Sequence, residues 1–592
     1  MDFYILIDDY VNICYNHNWY FFINIMNGEI NMKKSIGQIT RIFLSAALTL
    51  SIGTAMLSGL GFTAREHSVS AYVEAERTKE GWLISVVDRK IIIRGYNSEA
   101  TSLNIPSSYG GFPVTSIYEN AFADCSKLET VSLPETLEVI GDSAFRNCTA
   151  LTSFKSSGGL KIIEDMAFAG CSSLTSVDVP EGVTSIGNNA FANCINLKSF
   201  VIPPTVESIG MTILYGAPNL TSIEVYNNQH YCSIDGVLYN YGATELLCCP
   251  EGKSEISIPK TVTTVAPHAF ANASKLTSVT LPEGVTSIGM AAFSGCRSLS
   301  SINLPESLTV IEQMVFSDCR SLTSITIPDR VSQIKVEAFL SCTGLTSIKI
   351  PDSVVHLGIR AFSKCTALEE IEIPDSVSSV EGGVFSECTN LKKAKTSGAL
   401  INLGKFMFDG CVNLTDVELA DGISNIGWGT FRNCKSLTEI EIPESVSTIE
   451  AEAFRDCIGI KSFTVPDSVT SIGNLCFYGC VNMESLFIPE SVTEIGTLIV
   501  EGCKNLKAIY GAKGSYAQEY ARNGFLKFVV YKAGDISGDG VMDISDVAVF
   551  KQYMFGDRIL SEENTRSADI NGDGKVNVFD YLRVKQMLLM NS

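Results

Sequence analysis

Apolar positions recur along residues 82–530 with a period of 23. In the unit FSDCRSLTSITIPDRVSQIKVEA (316–338) they fall at Phe316, Cys319, Leu322, Ile325, Ile327, Val331 and Ile334. Ile325 and Ile327 alternate with Ser324 and Thr326, the two-residue period of a half-buried strand. Pro328 ends that run because it brings no ladder donor. Val331 and Ile334 predict a return segment, and a glycine follows the second apolar residue in many units (Gly141, Gly187, Gly289, Gly358, Gly427, Gly473, Gly496), as for a turn needing positive φ. The Phe position recurs from Phe122 to Phe477, with Leu214 and Val500 as variants, in sixteen units. One such segment cannot bury its apolar side alone, whereas stacked copies can. The pattern therefore predicts a mainly β solenoid of 23-residue coils around one continuous apolar core. Strands pair coil to coil at about 4.8 Å, for a stack of about 75 Å.

Cysteine follows the same period. Fourteen of the nineteen (Cys125, Cys148, Cys171, Cys194, then Cys296 to Cys503 every 23 residues) occupy one position of the coil. They read as small inward residues packed beside Phe, free and buried, since thiols all pointing one way along a stack suit a disulfide dihedral poorly. Cys14, Cys232, Cys248, Cys249 and Cys476 form no CxxC pair, and the vicinal Cys248 and Cys249 read as local packing. The ladder shifts phase once: Leu214 and Phe270 lie 56 residues apart, ten more than two periods, so an insert sits near 227–259.

Composition narrows the functions. The 592-residue chain has a net charge of −21, which argues against a nucleic-acid face. Hydrophobic residues are 45% and charged ones 18%, the balance of a folded chain. Five scattered histidines (His17, His67, His230, His268, His356) offer little for a zinc site or a Ser-His-Asp relay.

Near the start, Lys33, Lys34 and Arg41 precede an apolar stretch from Ile42 to about Ala64 that ends in small residues, the order of a secretory signal over 32–64. Residues 1–31 fit neither a signal nor the repeats and read as a non-structural extension, with translation starting at Met32. No membrane span is expected in the mature chain.

The formula AFxxCxxLTSIxIPxxVxxIG resembles the BspA-like leucine-rich repeats of bacterial surface proteins over roughly 82–530. Ile91 to Phe122 resembles that family's longer first repeat, Ser233 to Pro259 its hairpin-like insert, and the end of 505–530 its C-terminal cap, with a short helix around Tyr516 to Arg522. Outward strand positions are mostly Ser and Thr, but one stretch is banded: Glu369, Glu370 and Glu372, then Lys392, Lys393 and Lys395, then Asp416, Glu418, Glu439 and Glu441. Such banding suits a protein-docking surface. Exposed aromatics are rare on those strand positions, Phe487 excepted, which weighs against a polysaccharide there.

After Lys532 the formula stops. Two loops, DISGDGVMDISD (535–546) and DINGDGKVNVFD (569–580), are offset by 34 residues and each precedes an apolar helical pattern, with no helix evident before either. Calcium takes six to eight oxygens, and donors at loop positions 1, 3, 5, 7, 9 and 12 with glycine at 6 supply them. These are Asp535, Ser537, Asp539, the Val541 carbonyl, Asp543 and Asp546, and then Asp569, Asn571, Asp573, the Lys575 carbonyl, Asn577 and Asp580, with Gly540 and Gly574 at the turns. Paired loops, the Lys551–Gln552 and Lys585–Gln586 pairs and Asp at position 12 resemble the dockerin module of cellulosomal proteins over 533–592. The resemblance implies a small α-helical domain folded around two Ca²⁺ ions and a cohesin module of a scaffoldin as partner. By the same resemblance the partner-facing residues are Ile544, Ser545, Lys551 and Gln552 in one copy and Val578, Phe579, Lys585 and Gln586 in the other. Loop positions 10 and 11 hold Ile-Ser and Val-Phe where the family often has Ser-Thr-like pairs.

Two functions follow. The first is a secreted, non-catalytic binding protein, plugged into an extracellular complex while the solenoid meets a protein or surface ligand. The rival is a dockerin-bearing enzyme, or enzyme inhibitor, acting on plant cell wall polysaccharide or protein. Against the rival, repeats occupy 82–530 and leave no room for a catalytic domain of ordinary size.

Overall fold

The computed structural model describes residues 75–530, 534–537, 541–570 and 576–590. The proposed extension and signal lie outside the described residues. Among the described residues no helix is long and apolar enough to cross a membrane.

The repeat region is a stack of coils with two parallel β ladders. In one, Ser176–Asp178, Ser199–Ile202 and Ser222–Val225 pair with Ser176 opposite Ser199 and Ser199 opposite Ser222, so the register equals the sequence period. The inner residues Val177, Phe200 and Ile223 are buried there. In the other ladder, the Val-Ile return segments form two-residue strands such as Val139–Ile140, Ile162–Ile163 and Ser185–Ile186, which also pair in parallel. The return segment thus forms a second ladder. At 324–327, 347–350 and 439–442 burial still alternates, but no regular strand forms.

The glycines that follow the return segments do not have the positive φ expected from the sequence. They are required by close approach instead. A Cβ on Gly187, Gly289, Gly473 or Gly496 would lie 2.3–2.5 Å from a backbone nitrogen of the preceding coil. The left-handed residues stand further on, two per coil, as at Glu337 and Ser341. That alternation aims every second N–H at the next coil: Glu337 to the Ile359 carbonyl, Phe339 to Ala361 and Ser341 to Ser363, each at 2.8 Å. These bonds hold even bulky residues such as Arg360 and Leu475 at positive φ, at a cost of about 1–2 kcal/mol each.

Inside, the Phe rings stack coil on coil, Phe339 and Phe362 lying 5.2 Å apart and 3° from parallel. The core is not continuous, however. One cluster runs from Trp82 to Leu238 and a second from Val237 to Ala521. They meet at the insert, an antiparallel meander of Tyr231–Ile234, Val237–Asn240 and Glu245–Cys248. Its middle strand sends Leu238 to one core and Val237 and Tyr239 to the other, and Leu247 touches both. Glu245–Cys248 then pairs in parallel with Thr264–Val265 and restarts the second ladder. With Leu214 and Ala217 where other coils have Phe and Cys, the ring stack and thiol ladder both break here.

Antiparallel strands Leu83–Val87 and Lys90–Gly95 cover the first coil. At the other end helix α1, Tyr516–Asn523, is capped by Ser515, buries Ala517 and Ala521, and its Tyr520 hydroxyl accepts from the Ile499 N–H at 2.9 Å.

The C-terminal segment is helical: α2 (Ile544–Met554), α3 (Glu562–Ala568) and α4 (Val578–Met590). Ile536, Val547, Val549, Phe550, Leu560, Ala568 and Val584 make its core, with Tyr581 edge-on to Phe550 at 5.6 Å. Helix α3 directly precedes the second loop, where the sequence showed no helix. Its polar run EENTRSA has no apolar stripe, and the capping Ser561 hydroxyl, accepting from the Asn564 N–H, starts it.

Candidate functional site

Each C-terminal loop is tied to its helix by the aspartate at position 12. Asp546 is fully buried; one carboxylate oxygen accepts from the Ile536 and Ser537 N–H groups and the other from Asp543, all at 2.8 Å. Asp580, also fully buried, accepts from Ile570 at 3.0 Å and Asn577 at 2.9 Å. The two position-12 aspartates are therefore equivalent in structure as well as in sequence. Asp543 caps α2 by accepting from the Ser545 N–H at 2.7 Å, Ser537 donates to the buried Asp535 at 3.4 Å, and Asp569 ends α3.

The donors at the expected positions are carboxylate, hydroxyl, amide and carbonyl oxygens with no thiol or imidazole among them, a set that suits a hard cation. Val541 is exposed. Asp539, Asn571, Asp573 and Lys575, with Gly540 and Gly574, lie outside the described residues. Among the described residues, no three His, Cys, Asp or Glu side chains gather as a cation site.

The residues expected to face a partner lie on two helices. Ile544, Lys551 and Gln552 on α2, and Val578, Lys585 and Gln586 on α4, are exposed, Ile544 at 77%. Ser545 is partly buried, and the Phe579 side chain lies outside the described residues. Leu582 and Leu589 add exposed apolar area on α4, the kind of surface that binding covers.

On the solenoid the charged bands face one another in register. Glu370 lies opposite Lys393 and Lys393 opposite Asp416; Glu372, Lys395 and Glu418 align in the same way. The bands pair internally: Lys392 with Glu369 at 3.0 Å, Lys393 with Asp416 at 3.6 Å, and Lys395 with both Glu372 and Glu418 at 3.6 Å. The two carboxylates hold the Lys395 pKa above its ordinary value. The bands line an open depression of about 930 Å³ that reaches Lys349 and Ser376.

Sequence reasoning missed Glu251. Ordinarily the N–H before the ladder cysteine donates to a backbone carbonyl of the next coil, as Asn193 does to Tyr215 at 2.6 Å. At the insert the Gly216 N–H donates instead to the buried Glu251 carboxylate at 2.6 Å, so a side chain replaces the missing carbonyl. Burial pushes that carboxyl up to about 7 against the hydrogen bonds it accepts. Beside it lies a cavity of about 250 Å³ lined by Met211, Tyr215, Tyr231, Cys248 and His268. Cys248 is pushed up to about 12 by burial, as expected of a packed rather than reactive thiol. The only advance signal was the departure of CCPEGK from the repeat formula.

The family model for the BspA type leucine rich repeat region matches residues 96–233, 249–366, 311–437 and 424–521, and the model for the dockerin type I domain matches 533–589. Among solved structures, a leucine-rich repeat protein from Bacteroides ovatus is 27% identical, covering 78% of this chain and 98% of its own, with a TM-score of 0.42. A leucine rich cell surface protein from Faecalibacterium prausnitzii is 24% identical over 76% of this chain and 98% of its own, with a TM-score of 0.35. The pneumococcal vaccine antigen PcpA is 17% identical over 78% and 99%, with a TM-score of 0.38. No curated protein matches the chain. A type I dockerin is a calcium-binding module whose partner is a cohesin, and a leucine-rich solenoid is a binding scaffold. The chain belongs to the BspA-type leucine-rich repeat proteins and carries a dockerin type I domain at its C-terminal end.

Proposed function

We propose that this chain is a secreted, non-catalytic binding protein, joined through its dockerin to a cohesin-bearing scaffold outside the cell while the solenoid holds a protein or surface ligand. The observation that carries this reading is the division of the chain: repeats matched through residue 521, then a dockerin from 533. Two Ca²⁺ ions fill the loops, held by Asp535, Ser537, Asp539, the Val541 carbonyl, Asp543 and Asp546, and by Asp569, Asn571, Asp573, the Lys575 carbonyl, Asn577 and Asp580. The ions supply positive charge that lets several carboxylates share one small space. The chain supplies the clamp: Asp546 and Asp580 fix where each loop meets α2 and α4, and so aim the exposed Ile544, Lys551, Gln552, Val578, Lys585 and Gln586 outward. Ser545 and Phe579 complete the two partner faces. The banded strand face is the docking surface of the solenoid.

Calorimetric titration of the full chain with a purified type I cohesin module, in millimolar calcium and then in EDTA, tests the attachment. Binding in calcium that vanishes in EDTA is expected. Equal binding in both, or none in calcium, overturns it. Turnover of polysaccharide or casein by the full chain, abolished by a point substitution, would overturn the non-catalytic part.

A further inference from the structure

On the turn side of the stack, away from the strand face, most coils expose small, polar or aliphatic residues, but two successive coils place aromatic rings together. Phe406 and Trp428 have ring centroids 5.4 Å apart at 45°, and Trp428 is 41% exposed. Two features hold Phe406 in place. Gly429 has φ +61°, and a Cβ on it would lie 2.5 Å from the Phe406 ring, so only glycine lets that ring lie against the chain. The Arg432 guanidinium lies 4.7 Å from the Phe406 ring centroid and is itself fixed by two bonds to Asp409, at 3.0 and 2.7 Å, and one to Glu452 at 3.4 Å. Side-chain order that binding would otherwise have to impose is already present.

The electrostatics select the ligand. Arg432 is shared by two carboxylates, and Glu452 is shared in turn with Arg455 at 3.2 Å. Two arginines stand there among three carboxylates, Asp409, Glu452 and Asp456, and Glu450 accepts the Trp428 backbone N–H at 2.9 Å. The rim thus keeps an acidic excess that repels an anionic ligand, while a cationic peptide would have to compete with the arginines for carboxylates already paired. Planar donors and carboxylate oxygens around the rings remain able to bond hydroxyl groups, and the exposed indole offers a flat apolar face. A flat face ringed by such hydrogen-bonding groups complements a ring with one C–H face and a hydroxylated edge. We propose that the Phe406–Trp428 platform binds a neutral, pyranose-containing glycan. This surface is separate from the strand face and does not depend on the docking role given to it.

The test titrates the full chain with cellohexaose, xylohexaose, mannohexaose and laminarihexaose, reading calorimetric heat and tryptophan emission. The chain has three tryptophans, Trp19, Trp82 and Trp428, and Trp82 is buried. At least one hexasaccharide should bind and shift the emission. Trp428→Ala should weaken that binding at least ~10-fold, and Phe406→Leu, which keeps apolar volume but removes the neighbouring ring, should weaken it less. Unchanged circular dichroism and cohesin binding would show that both variants are folded and that the dockerin is unaffected. The proposal is overturned if none of the four sugars binds at about 10 mM, if Trp428→Ala binds as well as the parent chain, or if polygalacturonate binds more tightly than every neutral sugar.

Discussion

The Cys388 thiol donates a hydrogen bond to the Phe362 carbonyl oxygen, 26 residues earlier, at 3.2 Å. The same bond recurs between every ladder cysteine from Cys148 to Cys503 and the Phe of the preceding coil, at 3.0–3.4 Å. Cysteine at this position is therefore a small apolar filler that also supplies a donor. It satisfies a second lone pair on a carbonyl shut away from water.

Burial should make the interior of this ladder chemically silent. Cys148, Cys194, Cys296, Cys342 and Cys388 are each pushed up to about 12 by desolvation. At pH 8 a thiol of that pKa holds ~10³-fold less thiolate than an ordinary one, and thiolate is the reacting form. Labelling the native chain with a thiol reagent at pH 8 should leave these sites unmodified over hours, with rapid labelling once denaturant is added. Peptide mapping that finds them modified at the rate of a free thiol in the native state would refute the burial argument.

Close coil-to-coil approach predicts a sharp contrast between two glycines. Gly473→Ala would put a Cβ 2.3 Å from the Ala451 nitrogen, whereas Gly284→Ala would meet nothing nearer than 3.8 Å. The first should cost about 2–3 kcal/mol by overpacking against backbone, and the second should be near neutral. Urea unfolding of the two variants decides the matter; equal midpoints would remove close approach as the reason for glycine.

Those glycines show where the sequence was legible and where it was not. Period, inward residues and strand register are repeated in every coil, so each unit votes on the same answer. Gly473 itself was conspicuous, but a missing side chain serves positive φ and close approach alike, and only the neighbouring coil distinguishes them. Glu251 and the divided core were illegible because they occur once, at the insert, where no second unit repeats the signal. Helix α3 was missed because it is polar and short, held by a cap rather than an apolar stripe. At the loops, donor types could be read from spacing, but the N–H clamps on Asp546 and Asp580 belong to folded geometry.

Glu251 should give the chain an acid-side stability bonus. Its carboxyl is raised from 4.5 to about 7 by burial, so between those pH values the folded chain holds a proton that the unfolded chain has released. Stability from this group is thus full below pH 4.5, falls as pH rises to about 7, and is flat beyond, for a total of at most about 3 kcal/mol. Glu251→Gln keeps an oxygen for the Gly216 N–H and cannot ionise. The difference in urea midpoint between the parent and this variant should change across pH 4.5–7; a constant difference would place the Glu251 pKa at its ordinary value.

Calcium and Asp546 should act on the same element. The Asp546 carboxylate accepts three backbone N–H groups, and one of them closes the capping box at the start of α2. Asp546→Ala leaves buried donors unpaired, a cost of about 2–4 kcal/mol, and removes a proposed calcium ligand as well. Calcium at one hundred times its Kd stabilises the fold that binds it by about 2.7 kcal/mol. Trypsin should therefore cut the parent chain after Lys551, Arg583 and Lys585 faster in EDTA than in calcium, because helices that open expose those bonds. In Asp546→Ala the EDTA rate should persist at calcium concentrations that protect the parent chain. Cutting in the repeats should not change in either case, since the coils are held by their own ladders. Equal rates with and without calcium in the parent chain would mean that its loops close without the ion.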